Sequence, residues 1–157
     1  MLEKPIRTVA TNRKALHDYF IAEKMEAGVA LTGTEIKSVR AGQVSLQDSF
    51  AKIEDGELWM HNVHIAPYAQ GSRENVPSVR RRKLLMHREE IRRLDRKVRE
   101  KGFTLVPLRV YLKGNRAKVE LALARGKRLY DKREAIAERD ASREIARTLR
   151  QRQRGRL

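Results

Sequence analysis

Cysteine is absent from this chain, and aromatic residues make up only 5% of it. Without cysteine the chain cannot form a disulfide framework or a thiolate metal site, and it suits a reducing compartment. No apolar run approaches the ~18 residues that a membrane span needs. Residues 1–5 lack the apolar core of a signal peptide, so we expect neither a secretion signal nor a membrane anchor.

Positive charge is what the chain has in excess. The formal net charge is +16 over 157 residues. The last 32 residues hold 11 Lys and Arg against 5 Asp and Glu, and the first 125 hold 25 against 15. A surface of this kind attracts polyanions from a distance and releases condensed counterions when it docks on phosphates. The charge therefore favours a nucleic acid partner over an acidic small molecule.

The length fits one domain with an appendage. Hydrophobic residues make up 40% of the chain and charged residues 36%, which predicts a small aliphatic core. We expect a folded domain over residues 1–125 and a basic tail over residues 126–157. The tail has good helix formers but a thin apolar stripe of Ala141, Ile145 and Leu149. Such a helix is marginal alone, so the tail is predicted to be disordered when free and helical on a partner.

The first part of the domain mixes strand and helix signals. Residues 1–14 are polar and basic, so we expect them to fray. β-forming residues predict a strand from Leu16 onward, interrupted near Gly28 as by a bulge. Thr34 is the predicted N-cap of a short helix that Gly42 ends.

The remaining signals in the domain are clearer. Alternating runs around Asp-Gly and Gly-Asn predict two hairpins, and a helical period between them predicts a helix. In chain order these elements are a hairpin of residues 49–53 and 58–63, a loop over 66–79, a helix over roughly 87–101, and a hairpin of 105–112 and 117–123. Ile91, Leu94 and Val98 form the inward stripe of the predicted helix, and Gly102 is its predicted end. Pro107 indicates an edge strand or a strand start. The count is about six antiparallel strands with two or three short helices, which suits a small closed or partly open barrel of the oligonucleotide-binding type.

No catalytic or metal-binding set emerges from the residues. His61 and His64 are expected on one strand with their side chains on opposite faces, which argues against a shared metal. Glu89 and Glu90 are neighbours on a helix and diverge. Neither a phosphate-binding glycine loop nor a nucleophile elbow is present. We therefore expect a non-enzymatic protein without metal or cofactor.

Four segments resemble one protein family in their order and spacing. They are Asn-Arg-Lys-Ala at 12–15, Glu-Ala-Gly-Val-Ala-Leu-Thr-Gly-Thr-Glu-Ile-Lys-Ser-Val-Arg-Ala-Gly at 26–42, Arg-Lys-Leu-Leu at 82–85, and Gly-Lys-Arg with Asp-Lys-Arg at 126–128 and 131–133. The family is SmpB, whose members bind transfer-messenger RNA (SsrA RNA) in bacterial ribosome rescue. The segments cover nearly the whole chain, and the second is the most specific.

The resemblance implies a fold and a function. The implied fold is a six-stranded antiparallel barrel of the oligonucleotide-binding type with three helices. SmpB-like proteins carry the tRNA-like domain of transfer-messenger RNA into the A site of a ribosome stalled without a stop codon, and the nascent chain is then tagged. The implied partners are this RNA, small-subunit ribosomal RNA, and the complex of elongation factor Tu with aminoacylated transfer-messenger RNA. A cytoplasmic monomer that binds no membrane is implied as well.

The resemblance also implies functional residues. Matched positions that contact transfer-messenger RNA in the family are Asn12, Arg13, His17, Glu26, Leu85 and Lys118. A carboxylate such as Glu26 can accept from a base amino group or a 2′-hydroxyl, and an exposed cation such as Lys118 suits phosphate. Packing in the core is the alternative for Leu85, and a hydrogen-bonded strand histidine is the alternative for His17.

A second implied set lies in the tail. Matched positions that act at the decoding centre and in the mRNA channel are Lys127, Arg128, Tyr130, Asp131, Lys132, Arg133, Ile145 and Arg147. Tyr130 stands where relatives often carry histidine, and it can stack on a base. Ile145-Ala146-Arg147 is the nearest counterpart of an Ile-Met-Lys-like triplet in relatives. The alternative for the whole tail is a solvated basic terminus.

Three other functions are alternatives to the SmpB-like role in ribosome rescue. A constitutive ribosomal protein would share the charge and the tail, and it would stay on vacant ribosomes after a high-salt wash. A metal-independent nuclease would cleave RNA on incubation. A lipid-binding tail would carry the protein to liposomes in flotation, although the apolar stripe lacks Trp and Phe.

Overall fold

The structure is a computed structural model that describes residues 5–68, 75–127, 139–140 and 142–151. Strands dominate the described part of residues 1–125. They are β1 (Ile6–Thr11), β2 (Tyr19–Val29), β3 (Val44–Ser45), β4 (Phe50–Glu54), β5 (Glu57–His61), β6 (His64–Ile65), β7 (Arg82–Leu85), β8 (Thr104–Lys113) and β9 (Arg116–Gly126). The helices of this region are α1 (Arg13–Asp18), α2 (Gly33–Arg40) and α3 (Arg88–Lys101).

Six of the strands close into a ring. Hydrogen-bonded neighbours follow the order β8, β4, β5, β7, β2 and β9, and β9 pairs again with β8. β1 lies outside the ring and pairs with β8. The short strands β3 and β6 pair with each other. This ring confirms the predicted six-stranded antiparallel barrel with short helices.

The interior of the barrel is aliphatic, as the composition predicts. Leu58, Leu84, Leu94, Val119 and Leu121 are all at most 1% exposed and belong to one cluster. Leu94 is contributed by α3, whose Ile91 and partly buried Val98 complete the predicted inward stripe. A smaller cluster of Ala15, Val106, Leu108 and Ala122 joins α1 to β8 and β9.

The chain from residue 5 to residue 18 differs from the prediction. Instead of fraying, Ile6–Thr11 forms β1 and pairs with β8, Ile6 lying opposite Lys113. The predicted strand from Leu16 is also wrong, because residues 13–18 form α1 and β2 begins only at Tyr19. Asn12 caps α1 by accepting a hydrogen bond from the Ala15 amide at 3.1 Å. These elements depend on partners about one hundred residues away, which local signals do not reveal.

Two further local predictions are wrong around α2. The N-cap is Thr32 and not Thr34, and it forms a capping box: the Glu35 amide donates to Thr32 Oγ1 at 3.2 Å, and the Thr32 amide donates to Glu35 Oε1 at 3.0 Å. β2 runs unbroken from Tyr19 to Val29, so Gly28 does not interrupt it. Instead, Gly28 lies opposite Leu85, where an added Cβ would come 3.3 Å from the Leu85 Cβ.

The hairpins and α3 match the prediction closely. Asp55 and Gly56 both have positive φ, as a tight hairpin turn with Asp-Gly requires. Gly102 ends α3 in the left-handed conformation with φ of 67°. The prediction for Pro107 is wrong: it lies inside β8, which pairs with β1, β4 and β9, at a register shift between Pro107 and Arg109. A proline is tolerated there because the irregular pairing does not need its missing N–H.

The chain divides into two compact units, residues 1–125 and residues 126–157. In the second unit, residues 142–151 form a helix whose side chains are all exposed. None of the helices in the described part of the chain combines the length and the apolar content needed to span a bilayer.

Candidate RNA-binding surface

One outer face of the barrel gathers a carboxylate, a phenol and two lysines. Tyr111 on β8 lies directly opposite Lys118 on β9. The Tyr111 hydroxyl donates a hydrogen bond to Glu26 Oε2 on β2, and Lys113 Nζ lies 3.6 Å from Glu26 Oε1. Alternation along the strands explains the grouping, because Val110, Leu112, Ala117 and Val119 point inward between these residues.

The surroundings of Glu26 keep its carboxylate charged. The hydrogen bond from Tyr111 and the positive charges of Lys113 and Lys118 hold its pKa below the ordinary 4.5, although partial burial opposes this shift. Burial and the neighbouring Glu26 charge raise the pKa of Tyr111, so the phenol stays protonated and donates. Glu26 therefore presents an ionised acceptor whose side chain remains 39% exposed.

A groove of about 420 Å³ adjoins these residues and contains Leu85. Its lining includes Gly28, Leu85, Arg116 and Lys118 together with Thr32 and Gly33 at the start of α2. Leu85 is 52% exposed, so the core alternative for this residue is excluded. Since Gly28 has no side chain, the space next to Leu85 stays open. The groove thus combines an apolar wall with two cations.

A buried ion pair fixes α2 beside the groove. Arg82 is fully buried, Glu35 is 3% exposed, and Arg82 Nε donates to Glu35 Oε2 at 2.7 Å. Arg82 also donates to the carbonyl of Ser78 at 3.0 Å and to the carbonyl of Val63. Arg80 donates to the other oxygen of Glu35. Burial alone would raise the pKa of Glu35, but the hydrogen bonds from Arg80, Thr32 and Arg82 hold it below the ordinary 4.5.

Asn12, Arg13 and His17, which lie in or next to the first segment, differ in accessibility. Asn12 is 6% exposed, and its amide nitrogen donates to the Pro107 carbonyl at 3.0 Å while its amide oxygen caps α1. Its side chain is thus committed to joining α1 to β8. Arg13 and His17 are exposed on α1, and His17 Nδ1 lies 2.9 Å from Asp18 Oδ1. His17 is therefore a helix residue and not the strand residue that the sequence suggested.

The structure brings together only part of the predicted set. Leu85 and Lys118 line the groove, and Glu26 lies beside it, close enough to Lys118 for that charge to lower its pKa; these three residues are here called the groove face. Arg13 and His17 lie instead on α1, whose N-cap Asn12 bonds to Pro107 of β8. In the tail, Ile145 and Arg147 are exposed on the helix of residues 142–151, with Ile145 62% exposed. Lys127 is half-buried. The remaining predicted tail residues, Arg128, Tyr130, Asp131, Lys132 and Arg133, lie outside the described residues.

Sequence reasoning missed several residues that shape this surface. Tyr111 and Lys113 follow the same alternation as Lys118, so the period of the second hairpin could have placed them on the outer face. The Glu35–Arg82 pair gives no such signal, because its members are 47 residues apart. The histidine prediction is wrong in detail: His61 ends β5, whereas His64 lies on β6 in the separate two-stranded sheet. Among the described residues, no group of three or more His, Asp or Glu could hold a metal ion.

A small antiparallel barrel with exposed cations beside an apolar groove defines an RNA-binding protein of the oligonucleotide-binding-barrel class. The sequence model of the SmpB protein family matches residues 9–151, and the chain belongs to that family.

Individual relatives agree with this assignment. The SsrA-binding protein of Carboxydothermus hydrogenoformans is 63% identical over 146 residues, which are 93% of this chain and 98% of the relative. That of Desulforudis audaxviator is 61% identical over 150 residues, covering 96% and 98%. A solved structure described as "tmRNA-SmpB: a journey to the center of the bacterial ribosome" aligns with a TM-score of 0.64 and 56% identity, covering 78% of this chain and 85% of that chain.

Proposed function

We propose that this protein binds the tRNA-like domain of transfer-messenger RNA and delivers it to the A site of stalled ribosomes for trans-translation. The observation that carries the proposal is the groove face, where Leu85 and Lys118 line one groove beside the ionised Glu26, in a chain that matches SmpB proteins over nearly its whole length. The protein acts as a non-enzymatic adaptor, and its place of action is the cytoplasm because ribosomes work there. It acts as a monomer, together with elongation factor Tu on the aminoacylated RNA.

Each residue of the groove face has a distinct task in this proposal. Glu26 accepts hydrogen bonds from a base amino group or a 2′-hydroxyl, and the Tyr111 hydroxyl fixes the orientation of its carboxylate. Lys118 and Arg116 contact phosphates and carry little sequence information. Leu85 packs against a sugar or a base edge, for which the missing side chain of Gly28 leaves space.

α1 serves the same RNA through exposed Arg13 and His17. Asn12 is a positioning residue in this proposal, because its side chain is already bonded to Ala15 and Pro107. We therefore expect loss of Asn12 to weaken RNA binding by releasing α1 from β8 rather than by removing a direct contact.

The tail performs the second half of the function. Lys127, Arg128, Tyr130, Asp131, Lys132 and Arg133 act at the decoding centre, and Ile145 and Arg147 lie further along the empty mRNA channel. The described helix supports this role, since Ile145 and Leu149 are exposed four residues apart among cations. A helix with so little apolar surface gains stability from a partner, and ribosomal RNA supplies the complementary charge.

Binding to the isolated tRNA-like domain, compared with an ordinary tRNA across a salt series, tests the first half. We expect a preference for the tRNA-like domain that persists at physiological salt. Lys118→Ala should weaken binding and reduce the magnitude of the salt slope by about 1. Lys101→Ala, which removes an exposed lysine at the end of α3, is the matched control and should leave the slope unchanged. Equal affinity for both RNAs, falling steeply with salt, would refute shaped recognition.

Deletion of residues 126–157 tests the second half. The barrel and its core lie within residues 1–125, so the truncated protein should retain its melting temperature and most of its RNA affinity. Tagging of nascent chains on stalled ribosomes should be abolished in a reconstituted assay. A collapse of RNA binding at an unchanged melting temperature would contradict the proposed division of labour.

A further inference from the structure

The outer surface of the β4–β5 hairpin carries three aromatic rings and three cations in register. Across β4 and β5, Phe50 lies opposite His61 and Lys52 opposite Trp59. Across β5 and β7, Trp59 lies opposite Lys83. These residues alternate with buried Ala51, Leu58, Met60 and Leu84, which point into the core. Arg81, immediately before β7, completes this set, here called the hairpin face: Phe50, Lys52, Trp59, His61, Arg81 and Lys83.

Two flat stacks dominate the hairpin face. The rings of Phe50 and His61 are nearly parallel, with an interplanar angle of 10° and centroids 5.1 Å apart. The Arg81 guanidinium carbon lies 3.9 Å from the centroid of the Trp59 ring. Phe50 remains 38% exposed, and the side chain of Arg81 is 50% exposed. Both stacks therefore offer a planar surface to a third planar group.

One carboxylate holds the two stacks in place. Glu54 Oε1 lies 2.8 Å from His61 Nε2, and Glu54 Oε2 accepts a hydrogen bond from Arg81 Nη1 at 2.7 Å. The imidazole and the guanidinium are thus oriented before any ligand arrives. Preorganised side chains lose little conformational entropy on binding, which favours their use as a platform.

The charges of the hairpin face favour an anionic ligand with flat groups. Glu54 is already engaged by Arg81, and Glu57 lies 3.3 Å from Lys83 Nζ. Lys52 makes no salt bridge with another residue of the described part, so its charge is available. Phe50 is the one large apolar side chain of this face that is exposed, too little apolar surface for the core of a protein interface. Unpaired nucleobases stack on aromatic and guanidinium planes, and their phosphates accept from nearby lysines.

We propose that the hairpin face is a second RNA-binding surface, which takes the unpaired bases of a single-stranded RNA segment by stacking on Phe50·His61 and Trp59·Arg81. Its stacks lie on β4, β5 and the residue before β7, whereas the groove face lies on β2, the end of β7 and β9; the two surfaces approach each other on β7, where Lys83 and Leu85 are two residues apart. The assignment does not depend on which RNA the groove face binds.

The chain supplies its own probe for this surface. Trp59 is the single tryptophan, so intrinsic tryptophan fluorescence reports on the hairpin face alone. Titration of the full-length protein with a six-nucleotide RNA that cannot self-pair should change this fluorescence saturably. The same strand annealed to its complement should bind much more weakly at equal salt, because its bases are no longer free to stack. No fluorescence change, or an equal response to strand and duplex, would overturn the proposal.

Paired variants separate this surface from the groove face. Phe50→Leu removes a ring from an exposed position. Arg81→Lys keeps the positive charge but removes the planar guanidinium group. Each should lower affinity for the six-nucleotide RNA by about fivefold or more. Arg81→Lys should leave affinity for the tRNA-like domain unchanged, whereas Lys118→Ala should weaken binding of that domain and leave binding of the six-nucleotide RNA unchanged. If Phe50→Leu and Arg81→Lys both bind the six-nucleotide RNA as tightly as the parent protein, phosphate attraction explains the binding and the proposal fails.

Discussion

Removing Arg82 should destabilise the barrel more than removing any neighbouring surface arginine. Its side chain is fully buried and donates to Glu35, Ser78 and Val63. Arg82→Ala leaves the Glu35 carboxylate buried and two carbonyls without their donor. Breaking a buried ion pair by removing one partner typically costs about 3–5 kcal/mol. Because Glu35 keeps its bonds from Arg80 and Thr32, we expect the lower end, about 3 kcal/mol.

Thermal and urea unfolding measure this loss. For a domain of this size, about 3 kcal/mol corresponds to a fall in melting temperature of roughly 10 °C or more. Arg81→Ala is the control, because Arg81 is adjacent in sequence but half exposed, and its loss should cost at most about 1 kcal/mol. If Arg82→Ala and Arg81→Ala reduced the free energy of unfolding equally, the buried pair would not be organising α2 and β7.

Lowering the pH provides a second readout of the same pair. The folded-state pKa of Glu35 lies below the ordinary 4.5, so the pair contributes its full stability above about pH 4.5. That contribution is lost as the pH falls through the folded-state pKa. In Arg82→Ala, protonation of Glu35 removes a buried charge that Arg80 and Thr32 compensate only in part. The stability difference between the parent protein and the variant should therefore shrink on acidification below pH 4.5, and a difference independent of pH would refute the electrostatic explanation.

Three further predictions concern single residues. Gly102→Ala should lower the free energy of unfolding by about 1 kcal/mol, because Ala is strained at a φ of 67°, and a melting curve identical to the parent would contradict this. Asn12→Ala should lower the free energy of unfolding by about 1–2 kcal/mol, because the α1 cap and the bond to Pro107 are lost, and RNA affinity should fall in parallel. Reduced affinity at unchanged stability would instead indicate that Asn12 contacts the RNA directly. Glu26→Gln should lower the pKa of Tyr111 toward the ordinary 10.0, measured by NMR titration of the ring signals, and no change would show that burial alone sets it.

Local sequence signals were sufficient to predict the structure where a few neighbouring residues determine the backbone conformation. The Asp55-Gly56 turn, the left-handed Gly102 and the stripe of α3 are such cases, and each was predicted from neighbouring residues. β1 and α1 were mispredicted for the opposite reason. β1 is stabilised by pairing with β8, whose residues follow about one hundred positions later, and α1 has only six residues, too few for a helical period.

The site was only partly accessible to physical reasoning from sequence. Alternation in the second hairpin turns Lys118, Tyr111 and Lys113 away from the inward-facing Val110, Leu112 and Val119, although Tyr111 is only 3% exposed because Arg109 covers its ring. That Glu26 and Leu85 join them depends on β2 and β7 being neighbours in the ring, which no local pattern reveals. Their prediction as functional residues came from the family resemblance, and their direct contact with RNA stays a prediction.

The segment of residues 26–42, which carries the resemblance most specifically, divides into two physical roles. Glu26 offers a charged acceptor to the outside, and Gly28 keeps the groove open against Leu85. Glu35, nine residues further on, is 3% exposed and points inward to Arg82, so no RNA can reach its carboxylate. Yet the other oxygen of Glu35, Oε1, accepts a hydrogen bond from the Thr32 amide, and Thr32 lies in the groove lining. Glu26→Gln, which keeps an acceptor for the Tyr111 hydroxyl, should therefore change RNA affinity with little loss of stability, whereas Glu35→Ala should lower both together.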